Sequence, residues 1–319
     1  MTTVPAPELL TREPDDFEGP RRRRHVVWSV IRTQPQAAIG ALVLLAVVVV
    51  AVLAPWIAPY GEREKVGDVF EPPSSEHWLG LDDAGIDMLT LMLHGARVSL
   101  VVGFAAALVT MLIGGMIGLL AGYFGGKTDV VLMRLTDYFL VIPDIPLMLV
   151  AAAVWGRSLT NIILIIGVIY WTTTARVVRA QVKSVRERVY VKRARSLGAG
   201  HTRVLVRHVL PQVAPLLVAI TVLSVAVAIF AETAIAFLGL GDPTLTSWGK
   251  LIENAFSRSA ISVDAWWAVV PPGLAVVVVV LACTMLGRAL EDSLNPRLRV
   301  GHLSVRHFRL RGAGGGEAR

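Results

Sequence analysis

Three carboxylates, Asp137, Asp144 and Glu232, stand in stretches that are otherwise almost wholly apolar. A charge in an apolar phase is costly, so each must face water, a bundle interior or a partner. Asp144 and Glu232 could line a solute path or act as structural anchors, and the sequence leaves both readings open. Asp137 reads as structural, paired with Arg134 on the same helix. His77, His94, His201 and His208 lack metal-ligand spacing and read as surface residues. The one cysteine, Cys283, excludes an intrachain disulfide and a Cys-based metal site. Ala121-Gly122-Tyr123-Phe124-Gly125-Gly126-Lys127-Thr128 approaches a phosphate-binding loop, but that pattern needs glycine where Ala121 stands and a strand before it. It reads as a tight loop between two helices, and the chain is expected to bind no nucleotide. We find no catalytic triad, no His-Glu zinc motif and no paired acids at helical spacing, which argues against a membrane-embedded enzyme.

The elements that must position these residues are apolar and long. The chain has 319 residues, 54% hydrophobic and 17% charged, against about 45–50% and about 25% in soluble domains. The mean hydropathy of +0.62 excludes a disordered chain. Ala37–Ala54, Val98–Ala121 and Ala268–Gly287 are each about long enough to cross roughly 30 Å of hydrocarbon as a helix. Weaker spans run over 138–155, 161–175 and 213–238, giving six. The runs are continuous rather than alternating, so helices and not a barrel are expected. Trp28, Trp56, Trp155, Trp171, Trp266 and Trp267 fall near span ends, as interfacial tryptophans do.

The net charge of +7 sorts by loop. Arg21–Arg24 and Arg32 precede the first span. Residues 176–211 hold ten Lys/Arg and one acid, Glu187, whereas 55–94 holds eight acids and two basic residues. Basic loops stay cytoplasmic, so a multi-pass protein of the cytoplasmic membrane is expected, with both termini and 176–211 inside and 55–94 outside. This topology accounts for the positive charge, and no nucleic-acid partner is expected. Arg21–Arg24 before an apolar run imitates a secretory signal. Without a small-x-small cleavage site after it, the first span is read as uncleaved. The divisions are a tail over 1–36, a first span with external loop over 37–94, a membrane domain over 95–288, and a cytoplasmic tail over 289–319.

Gly114, Gly118 and Gly122 repeat every four residues and let another helix approach closely, within the chain or at a subunit interface. In the basic loop, Val191, Ala194 and Leu197 recur at i, i+3 and i+6 among Lys192, Arg193 and Arg195, the pattern of a short amphipathic helix. Gly198 and Gly200 end it. Val204, Leu205 and Val209 form a second stripe, and Pro211 marks entry to the next span. The loop is either a membrane-surface helix or a docking element for a cytoplasmic partner.

This loop resembles the EAA loop of type I ABC importer permeases. Ala194, Gly198, Leu210 and Pro211 match it, while Lys192 and Arg193 stand where Glu and the first Ala are usual. Further segments resemble the second permease subunit of dipeptide, oligopeptide and nickel importers. They are His77-Trp78-Leu79-Gly80-Leu81-Asp82, Gly95-Ala96-Arg97-Val98-Ser99-Leu100, Phe237-Leu238-Gly239-Leu240-Gly241, Ser247-Trp248-Gly249, Pro271-Pro272-Gly273-Leu274 and Asn295-Pro296-Arg297-Leu298. Gly85-Ile86-Asp87 stands where Gly-Arg-Asp is usual, and the likeness is collinear over about residues 26–299.

The resemblance implies an all-α polytopic fold, one amino-terminal helix plus a five-helix permease core. It also implies a heterodimer with a second permease, two cytoplasmic ATP-binding subunits and an extracytoplasmic solute-binding protein. ATP-Mg would be used by those partners and no cofactor by this chain. Val191, Ala194, Leu197, Gly198, Ala199, Leu210 and Pro211 would form the ATPase-coupling loop. Peptides are the expected cargo, with nickel or another small solute as the alternative. A proton-coupled secondary transporter using Glu232 or Asp144 is the alternative from another class.

Overall fold

The computed structural model describes residues 26–294. The Arg21–Arg24 run, the outer parts of both expected tails and Asn295–Leu298 lie outside the described residues. A short helix, α1 (Val26–Thr33), leads into α2 (Pro35–Ile57), and after the 58–87 loop comes α3 (Met88–Phe124). Next are α4 (Gly126–Val141), α5 (Asp144–Trp155), α6 (Leu159–Arg186) and α7 (Val189–Ser196). α8 (His201–Val204) passes through a wide π-type turn, Leu205–Val209, into α9 (Leu210–Ile235). α10 (Trp248–Ser257) and α11 (Val270–Leu294) complete the described chain.

Five of these segments are long and apolar enough to cross a membrane, and α4 with α5 makes a sixth crossing if that bent pair is one span. The span expected over 138–155 is therefore not one straight helix: α4 and α5 meet at 87°. Pro143 is the cause, because a proline has no amide hydrogen and pushes the residue before it out of the helical region. Ile142 accordingly sits extended, at φ −79° and ψ 126°.

Other spans overrun their apolar runs. α3 has 37 residues, about 55 Å at 1.5 Å per residue, so it projects beyond the hydrocarbon. Its start is fixed by Asp87, whose carboxylate accepts from the Thr90 amide at 2.8 Å and the Thr90 hydroxyl at 2.9 Å. The other Asp87 oxygen meets His77 Nδ1 at 3.1 Å, so His77 is 6% exposed and not the surface residue expected. The Trp267 indole N–H donates to the Leu81 carbonyl at 3.1 Å and ties this loop to the start of α11.

Helical packing continues across the divisions expected at 36 and 288. In α1, Val30 is buried with Leu286, Ala289 and Leu290 of α11, so both flanks continue the bundle. The glycine stripe is settled within the chain. A Cβ at Gly118 would lie 2.5 Å from the Ala175 carbonyl oxygen, and one at Gly122 would lie 2.8 Å from that of Arg179. Gly114 meets the Trp171 carbonyl in the same way. The stripe seats α3 on α6, so this face is already covered by the chain itself.

Candidate functional site: a buried carboxylate, a polar ladder and a basic loop

Glu232 lies on α9 and is 3% exposed. The Ser99 hydroxyl of α3 donates to its Oε2 at 3.3 Å, and the Trp248 amide at the start of α10 donates to Ser99 Oγ at 3.2 Å. The Trp248 indole donates to the Met92 carbonyl at 3.1 Å. Close approach makes this possible, since a Cβ at Gly249 would stand 2.8 Å from the Thr233 backbone. Three helices, α3 through Ser99, α9 through Glu232 and α10 through Trp248, thus meet at one carboxylate. Glu232 Oε2 accepts from a protein donor, and the side chain is enclosed by α3, α9 and α10.

The other acids form a ladder between the α4–α5 pair and α6. Asp129 is buried and chelated by the Arg179 guanidinium, with the Lys183 ammonium 2.7 Å away. Asp137 meets Arg176 at 2.6 Å, not Arg134 as expected. α4 and α6 run antiparallel, which brings Arg176 across the gap, whereas Arg134 shares its helix with Asp137 at i, i+3. Asp144, at the helix break, accepts from the Tyr170 hydroxyl at 2.9 Å. Burial falls along the series: Asp137 and Arg176 are 50% and 51% exposed, and Asp144 is exposed. Tyr138 and Val141 stand open on the same face. Exposed ion pairs suit water or a polar partner far better than hydrocarbon.

The basic loop closes the opposite end of α3 from the 58–87 loop. Val191 is fully buried with Val204, Val209, Val213 and Tyr123. The expected Val191–Ala194–Leu197 stripe is therefore divided. Val191 anchors the loop to the bundle, Ala194 and Ala199 are half-buried, and Leu197 is 88% exposed. Two physical reasons apply: a step of six residues turns about 120° away from the starting face, and α7 ends at Ser196.

That ending is a Schellman cap, with the Gly198 amide on the Arg195 carbonyl at 2.9 Å and the Ala199 amide on the Ala194 carbonyl at 3.1 Å. Gly198 has φ +82°, and no atom lies within 4 Å of the Cβ position, so backbone angle and not crowding demands glycine. Leu210 is half-buried and Pro211 exposed in the first turn of α9. The Tyr123 hydroxyl meets His201 Nδ1 at 3.2 Å, and the Arg186 guanidinium donates to the Tyr123 carbonyl at 3.1 Å. Glu187 is held below the usual carboxylate range by Lys192, 2.9 Å away, and by Arg186. The phosphate-loop look-alike is the α3–α4 turn, with Gly125 and Gly126 at φ +66° and +51°.

Sequence reasoning missed Ser99, Arg176 and Tyr170 as partners of the acids, and Trp248 as the residue that holds Ser99. Ser99 and Trp248 lay inside quoted motifs, and only their convergence on Glu232 was hidden. Arg176 and Tyr170 had no signal short of the α4–α6 register.

A helical bundle of membrane-crossing length, with a broken span carrying a carboxylate and a basic loop folded onto one end, defines a polytopic permease component. The chain belongs to the family of binding-protein-dependent transport system inner membrane components, whose model matches residues 114–300. Residues 23–73 also match the N-terminal transmembrane domain of oligopeptide transport permease C. It is similar to a Brucella suis biovar 1 chain provisionally named a peptide transport system permease protein, 40% identical over 265 residues, 82% of this chain and 88% of that one. It is similar to the dipeptide transport system permease protein DppC of Alkalihalophilus pseudofirmus, 33% identical over 309 residues, 94% of this chain and 100% of that one. The di/tripeptide transport system permease protein DppC of Pseudomonas aeruginosa is 36% identical over 281 residues, 85% of this chain and 91% of that one. The chain is thus a multi-pass inner-membrane permease of the ABC importer type, a class that works with ATPase and substrate-binding components.

Proposed function

We propose that this chain is one half of the translocation pathway of a peptide importer. It pairs with a second, homologous permease, two cytoplasmic ATP-binding subunits and an extracytoplasmic solute-binding protein. Peptide cargo is supported by the names of the relatives, which include dipeptide and oligopeptide permeases matched over most of the chain. The basic end, with α7, lies in the cytoplasm together with both termini, as the arginine distribution supports. The chain uses no cofactor of its own, and ATP-Mg is bound and hydrolysed by the partners.

The observation that carries the mechanism is the build of the basic loop. Val191 and Val204 fix it to the core while Leu197 and Gly198 stand exposed. A loop so anchored transmits a push from a docked subunit to α6 and α9, which it joins. Coupling requires an element whose position differs between states that nucleotide binds unequally. The exposed ladder Asp137–Arg176 and Asp144–Tyr170 then forms the polar wall past which a peptide moves.

The test replaces Gly198 with Val. At φ +82° a β-branched residue costs about 1–3 kcal/mol, enough to bias a coupled two-state element. Gly198→Val and Ala194→Asp should insert normally yet lose ATP-driven dipeptide uptake, or lose the ATPases, in proteoliposomes holding the whole complex. Full association and full uptake in both variants would remove the coupling role. Uptake driven by a proton gradient without ATP would replace this reading by a secondary transporter, and nickel uptake without peptide uptake would replace the cargo.

A further inference from the structure

A groove of about 760 Å³ runs between α2 and α3 on the outside of the bundle. Val48 and Val52 of α2 and Phe104 and Leu108 of α3 line its length, while Trp56 and Arg97 stand at one end. Trp56 is at the last turn of α2, where an interfacial tryptophan belongs. Arg97 is exposed, and among the described residues it has no ion pair or side-chain hydrogen bond. It stands out because the neighbouring loop is acidic, with eight acids against two basic residues over 55–94.

The geometry points to a phospholipid site, with the lipid phosphate on the Arg97 guanidinium and one acyl chain along the groove. From Arg97 to Leu108 the helix rises about 16 Å, close to the half-thickness of a roughly 30 Å hydrocarbon core. A groove with its cation at the interface and its apolar floor one leaflet deep has the dimensions of a single lipid tail. Arginine presents a planar fork that holds two phosphate oxygens at once, so it favours phosphate over a purely apolar neighbour. The membrane supplies phosphates at the depth of Trp56, and an anionic headgroup also offsets the unpaired positive charge. The occupant is therefore an anionic glycerophospholipid held in register, distinct from lipid that merely surrounds the bundle. This inference needs neither the peptide cargo nor the coupling role proposed above.

The experiment places the intact complex in nanodiscs containing a photoactivatable phosphatidylglycerol, or its phosphatidylcholine analogue, with the reactive group on the acyl chain. Adducts are mapped on this chain by proteolysis and mass spectrometry. Labelling should concentrate on residues 48–56 and 97–108, favour phosphatidylglycerol, and fall about tenfold in Arg97→Gln, the loss of one charge-assisted contact. Val101→Trp, at a half-exposed position that also lines the groove, should lower labelling while leaving complex yield unchanged. Uniform labelling of every lipid-facing helix, unchanged in Arg97→Gln, would mean surrounding lipid only and would overturn the proposal. Cross-linking of Val101→Cys, in a Cys283→Ser background, to the second permease would overturn it too, because protein would then fill the groove.

Discussion

Glu232 and Asp144 are both acids in apolar helices, and they are held in opposite ways. Glu232 is enclosed by α3, α9 and α10, its Oε2 accepting from the Ser99 hydroxyl, to which the Trp248 amide donates in turn. Asp144 stands exposed at the 87° break between α4 and α5, held by the Tyr170 hydroxyl. The same residue chemistry therefore serves two ends. A carboxylate sealed among protein groups joins the helices that enclose it, whereas one at an open break presents a polar face, the feature on which the proposed path rests. What decides between them is the number of elements converging on the site, and not the residue type.

Removing the enclosed acid should cost most. Glu232→Ala leaves the Ser99 hydroxyl without its acceptor and opens a cavity where three helices meet. We expect a loss of about 2–4 kcal/mol, seen as lower complex yield and a lower Tm. Glu232→Gln keeps the acceptor and should retain yield and uptake. Altered uptake at normal yield in Glu232→Gln would break the comparison by giving Glu232 a role in the path.

The next effect belongs to the buried rung of the ladder. Asp129→Ala strands Arg179 and Lys183 together, so we expect about 1–3 kcal/mol lost, again read in Tm. Asp144→Asn should behave differently: normal Tm, because an exposed site loses little, but several-fold slower peptide uptake. An equal fall in Tm for Asp144→Asn and Asp129→Ala would show that the helix break is packed and not open.

The legibility of these regions in the sequence follows from how local their causes are. The apolar runs gave the helices because hydropathy acts residue by residue. Pro143 was visible too, but its break was read through, since 138–155 is apolar enough to pass as one span. Gly198 was legible because a glycine just past an amphipathic run marks a left-handed helix cap, a local backbone signal. Val191 was not, because its burial depends on Val204 and Val213 arriving from another helix. The acids' partners failed for the same reason. Arg134 is near Asp137 in sequence, while Arg176 is near it only once α4 and α6 lie antiparallel.

The smallest effect makes the finest test of the ladder's surroundings. Asp137 and Arg176 lie 2.6 Å apart, each about half exposed. If that face meets water in the working complex, the pair resembles a surface ion pair, worth about 0–1 kcal/mol, and weakens as salt screens it. If it meets hydrocarbon, removing one partner leaves a lone charge that costs about 2.5–3.5 kcal/mol near the centre of the bilayer. A double-mutant cycle of Asp137→Asn and Arg176→Gln, read by Tm at low and high salt, separates the two. We expect a coupling below about 1 kcal/mol that falls with salt, because both side chains are open enough to be solvated. A coupling several times larger and indifferent to salt would turn the ladder into a second sealed anchor. The contrast between Glu232 and Asp144 would then stop at the helix break itself.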